Sequence, residues 1–320
     1  MSKKMSKKLE IISHVENNVM NRQTSLADLL QRFIQAQDVS PSSKGTYSRQ
    51  ARQFIFWLDD TGRTDRLSTL VREDILEYKR WLSTSGKTPA TVSGYLTLVR
   101  KFFTWLETEK IYPNIARGVK GLKKPKGFRK DCLVPTQIRE ALDYFDRSTL
   151  EGLRDHALFN LMVRTGLRTV EVSRAAIEDI RQQTGEAVLW IQGKGRDEKD
   201  DFVLLLEDTL KPLQEYLSRR GETSEEAPLF ASMARKNYGQ AMTTRSIRRI
   251  VKEAFRLIGL DSKRISAHSL RHTAVSLAVK GGASLHQAQA MARHTDPRTT
   301  QVYFHNADRI SQGAERFIQI

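Results

Sequence analysis

The chain has 320 residues, 39% hydrophobic and 28% charged, and its 53 Lys and Arg against 37 Asp and Glu leave a net charge of +16. That length accommodates about two domains, and a mean hydropathy of −0.50 with no apolar run approaching the ~18 residues of a bilayer span excludes an integral membrane protein. The single cysteine, Cys132, excludes an intramolecular disulfide and a multi-cysteine metal or iron–sulfur site, and the opening residues carry no export signal, so a cytoplasmic home is expected.

Beyond an extension over 1–24, residues 25–116 read as all-helical. In SLADLLQRFIQAQ, Ser25 caps a helix whose Leu26, Leu29, Leu30 and Phe33 recur at helical spacing. Tyr47, Phe54, Trp57 and Leu58 do the same in the next helix, before Gly62 stops it. VREDILEYKRWLSTSGK ends at Gly86, and Thr88-Pro89 opens a fourth helix with Val92, Tyr95, Leu96, Val99, Phe102 and Phe103 on one side. Arg49, Arg52, Lys87, Arg100 and Lys101 lie among these aromatics; taken singly, each reads as the wet face of a packed bundle.

Residues 117–130, RGVKGLKKPKGFRK, hold seven basic residues and no acid, with Gly118, Gly121, Pro125 and Gly127 breaking any helix. Through residue 130 the chain has 25 basic and 12 acidic residues, and 28 and 25 after it. The excess is therefore concentrated in the first part. The run reads as an interdomain linker able to follow a polyanion, because neutralising phosphates releases condensed counterions whatever the sequence. Lys123, Lys124 and Lys126 are its candidate DNA contacts.

A second unit spans 131–320. Helices are expected near Thr136–Phe145 and over Leu150–Thr165, the latter with an apolar stripe of Leu153, Ala157, Leu158, Leu161 and Met162. Strand-like runs at Ile177–Arg181, Ala187–Gln192 and Phe202–Leu206, separated by QQTGE and GKGRDEKDD, predict a small antiparallel sheet. Everything after Asp208 reads as helix, including one capped at Thr243-Thr244 that turns Ile247, Ile250, Val251, Ala254 and Phe255 inward. Its opposite face carries Arg245, Arg248, Arg249 and Lys252, candidates for groove and phosphate contact.

Three clusters bear chemistry. In TGLRTVE the glycine ends a helix, so Arg168 projects from a turn with Glu171 one helical turn on. In HSLRH, positions 268, 271 and 272 share a helix face and bring two imidazoles and a guanidinium together. In ARHTDPRTTQVYFH, His294 precedes Thr299, Thr300, Tyr303 and His305 on a helix restarted by Pro297. A zinc hydrolase would use His268 and His272 at the four-residue spacing of a helical metal site. That reading lacks its acid, because Ser269 stands where H-E-x-x-H needs glutamate, and the arginines would repel a dication.

In order, spacing and residue type, these motifs with the hairpin Gly193-Lys194-Gly195 resemble the tyrosine recombinase (phage integrase) family. The resemblance covers about nine-tenths of the chain, the four-helix segment being similar to the family's SAM-like core-binding domain. It implies a mainly α protein: a helical core DNA-binding domain and a mostly helical α+β catalytic domain with a small antiparallel sheet, closing as a C-shaped clamp on one duplex. It also implies two phosphate-clamping arginines, Arg168 and Arg271; two hydrogen-bonding or proton-handling groups, His268 and His294; a general acid, Lys194; and a nucleophile, Tyr303. Always-charged forked guanidiniums suit the charge that gathers on a phosphodiester under attack. Tyr303 must lose a proton as it attacks, with His268 as candidate base or relay, while the departing 5′ oxygen gains one from Lys194. The resulting 3′-phosphotyrosyl bond stores the linkage, so neither metal nor ATP is required.

The implied partners are a double-stranded recombination site, a homo-tetramer exchanging strands through a Holliday junction, and an accessory excision or host factor. Integration or excision of a mobile element and DNA resolution all use these residues; a non-catalytic DNA-binding or architectural protein on the same fold is the alternative. Two features depart from the family pattern: Arg293 stands where the family usually has glycine, and the hairpin after Lys194 is longer and more acidic, which raises Lys199 as a substitute acid. The extension before residue 25 is too short for the additional domain of larger integrases. The tail, 306–320, carries Ile310, Phe317, Ile318 and Ile320, an apolar set for docking on a neighbouring protomer or on its own domain.

Overall fold

The computed structural model describes residues 25–63, 67–123, 131–193, 195–221, 223–311 and 313–318, with the backbone alone at 310 and 311. The 1–24 extension, Lys124, Lys126, Lys194 and Ile320 lie outside the described residues. The chain divides into two compact units between Lys126 and Gly127.

The first unit is built on α1 (Leu26–Ala36), α2 (Pro41–Asp60), α3 (Arg72–Thr84) and α4 (Pro89–Thr108). Each start is chemically marked. Ser25 Oγ accepts from the Asp28 amide while Asp28 Oδ2 accepts from the Ser25 amide, both at 3.1 Å, a reciprocal pair that satisfies two orphan donors of α1. Pro41 and Pro89 occupy the first turns of α2 and α4, where a missing N–H costs nothing. Gly62, at φ 67°, takes the left-handed backbone that ends α2. Phe33, Phe54, Trp57, Tyr78, Phe102 and Phe103 fill the core, all essentially inaccessible. Phe33 meets Phe102 edge-on at 5.7 Å, as does Phe54 with Tyr78 at 5.0 Å.

The basic run expected as a linker starts instead as a strap on this unit. Ala116 and Val119 are buried in the same core. Lys79 Nζ donates to the Lys120 carbonyl at 2.8 Å, and the Leu122 amide donates to Ser93 Oγ at 3.2 Å. Val119 and Leu122 supply apolar anchors that the glycine and lysine content hides.

The second unit comprises α5 (Pro135–Asp143), α6 (Leu150–Thr165), α7 (Thr169–Arg174), strands β1 (Ile180–Gln183), β2 (Glu186–Ile191) and β3 (Asp201–Leu204), then α8 (Glu207–Arg220), α9 (Thr244–Leu257), α10 (Ala267–Lys280), α11 (Leu285–Ala292) and α12 (Pro297–Ser311). Helix α6 is buried nearly all round, from Ala157 through Val163. The sheet runs β1-β2-β3, antiparallel throughout, with Ile180 opposite Leu189 and Leu189 opposite Val203. Thr184 and Gly185, at φ 50° and 86°, make the two-residue turn between β1 and β2 that matches strand twist.

Two expectations are corrected here. Ile177–Asp179 forms a 3₁₀ turn, so the first strand begins at Ile180. Asp179 causes this by turning its carboxylate back to accept from the Ala176 amide at 2.7 Å. The stretch between α8 and α9 is irregular rather than helical, with a 3₁₀ turn at Arg235–Asn237. Gly221 and Gly239 adopt positive φ, and the Leu229 amide donates to the Ala175 carbonyl at 2.8 Å, so the segment spends its backbone on tertiary pairing. No helix among the described residues is long and apolar enough to cross a membrane.

Candidate active site

Helix α6 stops at Gly166, whose φ of 65° is left-handed, and the chain turns at once into α7 with Arg168 at its N-cap. The turn is tied to α10, because Arg271 Nη1 donates to the Gly166 carbonyl at 2.7 Å. Glu171, fully buried, accepts from the Arg168 amide and from Arg168 Nη1, both at 2.7 Å. Burial alone would push its carboxyl up, but the charge of Arg293 and the bonds from Arg168 hold it below the usual carboxylate range.

Arg293 stands where the family usually has glycine, and its backbone and its side chain each have a place in the structure. It caps α11 in the left-handed region, φ 52°, a conformation that ordinarily favours glycine. Its guanidinium turns inward, 6% exposed, and Nη2 reaches Glu171 at 3.1 Å. Two guanidiniums thus share one buried carboxylate, with Arg271 as a third beside them. Burial, with Arg168 and Arg293 close by, pushes Arg271 down to about 9. It remains charged at neutral pH and would gain from an anion. Two buried donors, Arg271 Nη2 and Arg293 Nε, meet no acceptor, an arrangement that is costly unless an anion completes it.

Tyr303 lies 5% exposed among Val275, Ala288 and Ala292, which fixes the ring where α10, α11 and α12 meet. Its hydroxyl is 2.6 Å from Nδ1 of His272. His272 belonged to the sequence cluster but not to the predicted site. The i, i+4 spacing put it beside His268, yet only the packing of α12 onto α10 shows which imidazole receives the phenol. His268 itself is exposed, its ring edge-on to His272 at 4.8 Å. The His294 ring stacks 6.4 Å from Tyr303, and Nδ1 pairs with the buried Thr300 hydroxyl at 2.9 Å, leaving Nε2 as the nitrogen available to a substrate. His305 and Thr299 are exposed on α12. Among the described residues no three of His, Cys, Asp and Glu are grouped as ligands for a metal ion.

Burial pushes the Tyr303 phenol well above its ordinary range, so it is protonated in the resting protein. Burial, with His268 and Arg271 nearby, lowers His272 to about 4. Burial and the three guanidiniums lower His294 to about 4 as well. Two of the seven histidines are therefore expected to stay neutral well below the usual 6.5 in an NMR titration of the imidazoles. Between 6.5 and about 4 the unfolded chain binds protons there that the folded chain refuses, so stability present above 6.5 is lost as pH falls through that window. Arg293→Gly, which suits the left-handed backbone and removes one of the guanidiniums acting on His294, is expected to fold and to raise the His294 midpoint. A midpoint unchanged in that variant, or above 6 for either imidazole in wild type, contradicts this electrostatic account.

The hairpin between β2 and β3 is tied to α7 by Arg174 Nη1 donating to the Gly193 carbonyl at 3.2 Å. Lys199 Nζ is 2.7 Å from Oδ1 of Asp179, a fully buried carboxylate. Withdrawing Lys199 would leave that charge unpaired, so its ammonium is committed to structure. On α9, Arg245, Arg248 and Arg249 are exposed, as expected. Lys252 is held back by Asp261 at 2.8 Å and by the Ser262 carbonyl at 2.9 Å. In the tail, Phe317 and Ile318 are 80% and 65% exposed.

Residues 132–309 match the phage integrase family, and residues 26–110 match its N-terminal SAM-like domain. The tyrosine recombinase XerD of Listeria monocytogenes is 27% identical over 283 residues, covering 88% of this chain and 93% of that protein. XerC of Thermodesulfovibrio yellowstonii is 31% identical over 230 residues, 69% and 72% of the two chains. Among solved structures, the XerH site-specific recombinase in a post-cleavage complex with palindromic difH substrate gives a TM-score of 0.71 at 20% identity over 96% of this chain and 89% of that one. A lambda integrase (75–356) dimer bound to a COC′ core site gives 0.67 at 15% identity over 85% and 96%. These structures share the fold, and with both parts of the sequence matched and the arginine, histidine and tyrosine motifs gathered in one unit, the chain belongs to the phage integrase family, the tyrosine recombinases.

Proposed function

We propose that this protein is a site-specific DNA recombinase that cleaves and rejoins strands through a 3′-phosphotyrosyl intermediate. The observation carrying this reading is the convergence of Arg168, Arg271, His294 and Tyr303 on one partly buried cluster, with the neighbouring guanidiniums disfavouring one another until an anion arrives. Arg168 and Arg271 hold the non-bridging oxygens of the scissile phosphate, and their charge offsets the charge that develops there in the transition state. His294 adds a hydrogen bond, and His268 handles protons at the solvent edge. Lys194 protonates the departing 5′ oxygen, a role for which Lys199, bound to Asp179, is unsuited. Attack of another 5′-hydroxyl on the phosphotyrosine reverses the step, so strand exchange needs no external energy.

Lys123, Lys124, Lys126, Arg245, Arg248 and Arg249 provide phosphate and groove contacts, with Lys252 weaker because of its ion pair. The protein acts as a tetramer on two DNA segments through a Holliday junction, in integration, excision or DNA resolution, with the tail docking between protomers. XerH, solved on its difH substrate, supports DNA as the partner.

Covalent capture tests the proposal. The protein is incubated with EDTA and nicked fragments of its source DNA, quenched with SDS, and any protein-linked band is located by mass spectrometry. A 3′-phosphate on Tyr303 is expected, and it identifies the cleavage site at the same time. Tight binding without an adduct would leave an architectural DNA-binding protein, and an adduct on another residue would displace Tyr303 as nucleophile.

A further inference from the structure

We propose that His272 takes the phenolic proton of Tyr303 during strand cleavage and that His268 passes it to solvent. The inference rests on the recombinase reading and assigns a residue that the motif comparison left without a role. Three observations carry it. The phenol oxygen and His272 Nδ1 are 2.6 Å apart, within the range for direct proton transfer, and both residues are buried, at 5% and 8% exposure. The proposed transfer uses the arrangement in which the phenol donates to an unprotonated Nδ1 and the ring proton sits on Nε2. Nδ1 of His294 is engaged by Thr300, which leaves that ring only its Nε2, the nitrogen facing the substrate in the proposed reaction. His268, one turn before His272 on α10, is edge-on to it and exposed.

The surroundings explain why two imidazoles are needed. His272 faces Arg271 and His268 on its own helix, Tyr303 on α12, and His294 on the loop before α12; Cys132 also acts on Tyr303. Arg271 favours the phenolate while it opposes an imidazolium at His272. A proton arriving on Nδ1 therefore cannot stay. As the Tyr303 oxygen bonds to phosphorus and the bond from phosphorus to the 5′ oxygen breaks, the phenolic proton moves to His272 Nδ1. The Nε2 proton leaves for His268 or water, and the 5′ oxygen takes its proton from Lys194. Rejoining runs the same transfers backwards. At rest, the bond keeps the nucleophile neutral and immobile.

The test uses single-turnover cleavage of the nicked fragment recovered by covalent capture, with His272→Asn and His272→Ala. Asparagine places an oxygen near the Nδ1 position, which accepts the phenol's hydrogen bond but cannot take its proton. Both variants are expected to bind the fragment as wild type does and to cleave ~10²–10³-fold more slowly. The deficit should shrink as pH rises, because hydroxide then removes the proton, and added imidazole should restore His272→Ala. A 5′-phosphorothiolate, whose leaving group needs no acid, should restore neither. Cleavage by His272→Asn at the wild-type rate, or a pH-independent deficit in both variants that imidazole does not touch, would reduce His272 to packing. Rescue by the phosphorothiolate would move it to the acid side of the reaction. If His272→Ala does not fold, judged by circular dichroism and DNA binding, the pH profile of His272→Asn decides. No adduct from wild type would instead sink the recombinase reading itself.

Discussion

Tyr303→Phe is expected to fold, to bind DNA as wild type does, and to form no covalent complex. Phenylalanine keeps the ring contacts with Val275, Ala288 and Ala292 that hold α12 onto α10 and α11. What it loses is the one atom that bonds to phosphorus in the proposed reaction. The cost in stability is small by comparison, because the variant gives up one hydrogen bond, that to His272, about 0.5–1.5 kcal/mol. SDS-resistant complexes should vanish while gel-shift affinity stays within a few-fold. An SDS-resistant band that persisted in Tyr303→Phe would show that another residue attacks.

Arg271→Lys is expected to slow cleavage about 10²–10³-fold with little change in DNA affinity, the loss typical of removing one preorganised donor from a developing oxyanion. The charge survives this substitution, so an effect of that size isolates geometry. In wild type the guanidinium donates through Nη1 to the Gly166 carbonyl and keeps Nη2 buried without an acceptor. One arm fixes the turn that leads into Arg168, and in the proposed reaction the other holds the phosphate. An ammonium is a single point of charge and cannot hold a carbonyl and a phosphate oxygen in that fixed fork. Single-turnover adduct formation measures the loss. A rate within about fivefold of wild type would mean that charge alone suffices and that the fork carries no catalytic advantage.

Much of the fold was legible locally. Ser25, Thr88-Pro89 and Thr243 mark helix starts, and Gly62 and Gly166 mark ends, because capping and left-handed backbone are properties of a few neighbouring residues. The turn at Thr184-Gly185 was legible for the same reason. The irregular segment before α9 was not, since its backbone pairs with Ala175, far off in the sequence, and no periodicity announces such a partner. Nor was the strap over 117–123, whose lysines and glycines outweigh Val119 in any compositional reading although Val119 is 2% exposed.

The site divides along the same line. Residue type and spacing by themselves determined the helical organisation, the motifs built on Arg168, His268, Arg271, His294 and Tyr303, and their kinship with the phage integrase family, because each of these is carried by a few residues close together in the chain. Only the tertiary structure decided that the Tyr303 phenol is bonded to His272, that Arg293 turns inward to share Glu171 with Arg168, and that Lys199 is spent on Asp179. Two of these three contacts join residues from elements well separated in the chain, and the third joins the hairpin to the turn before β1. Such pairings are set by how the elements pack around buried charge, which the local period of a sequence does not encode.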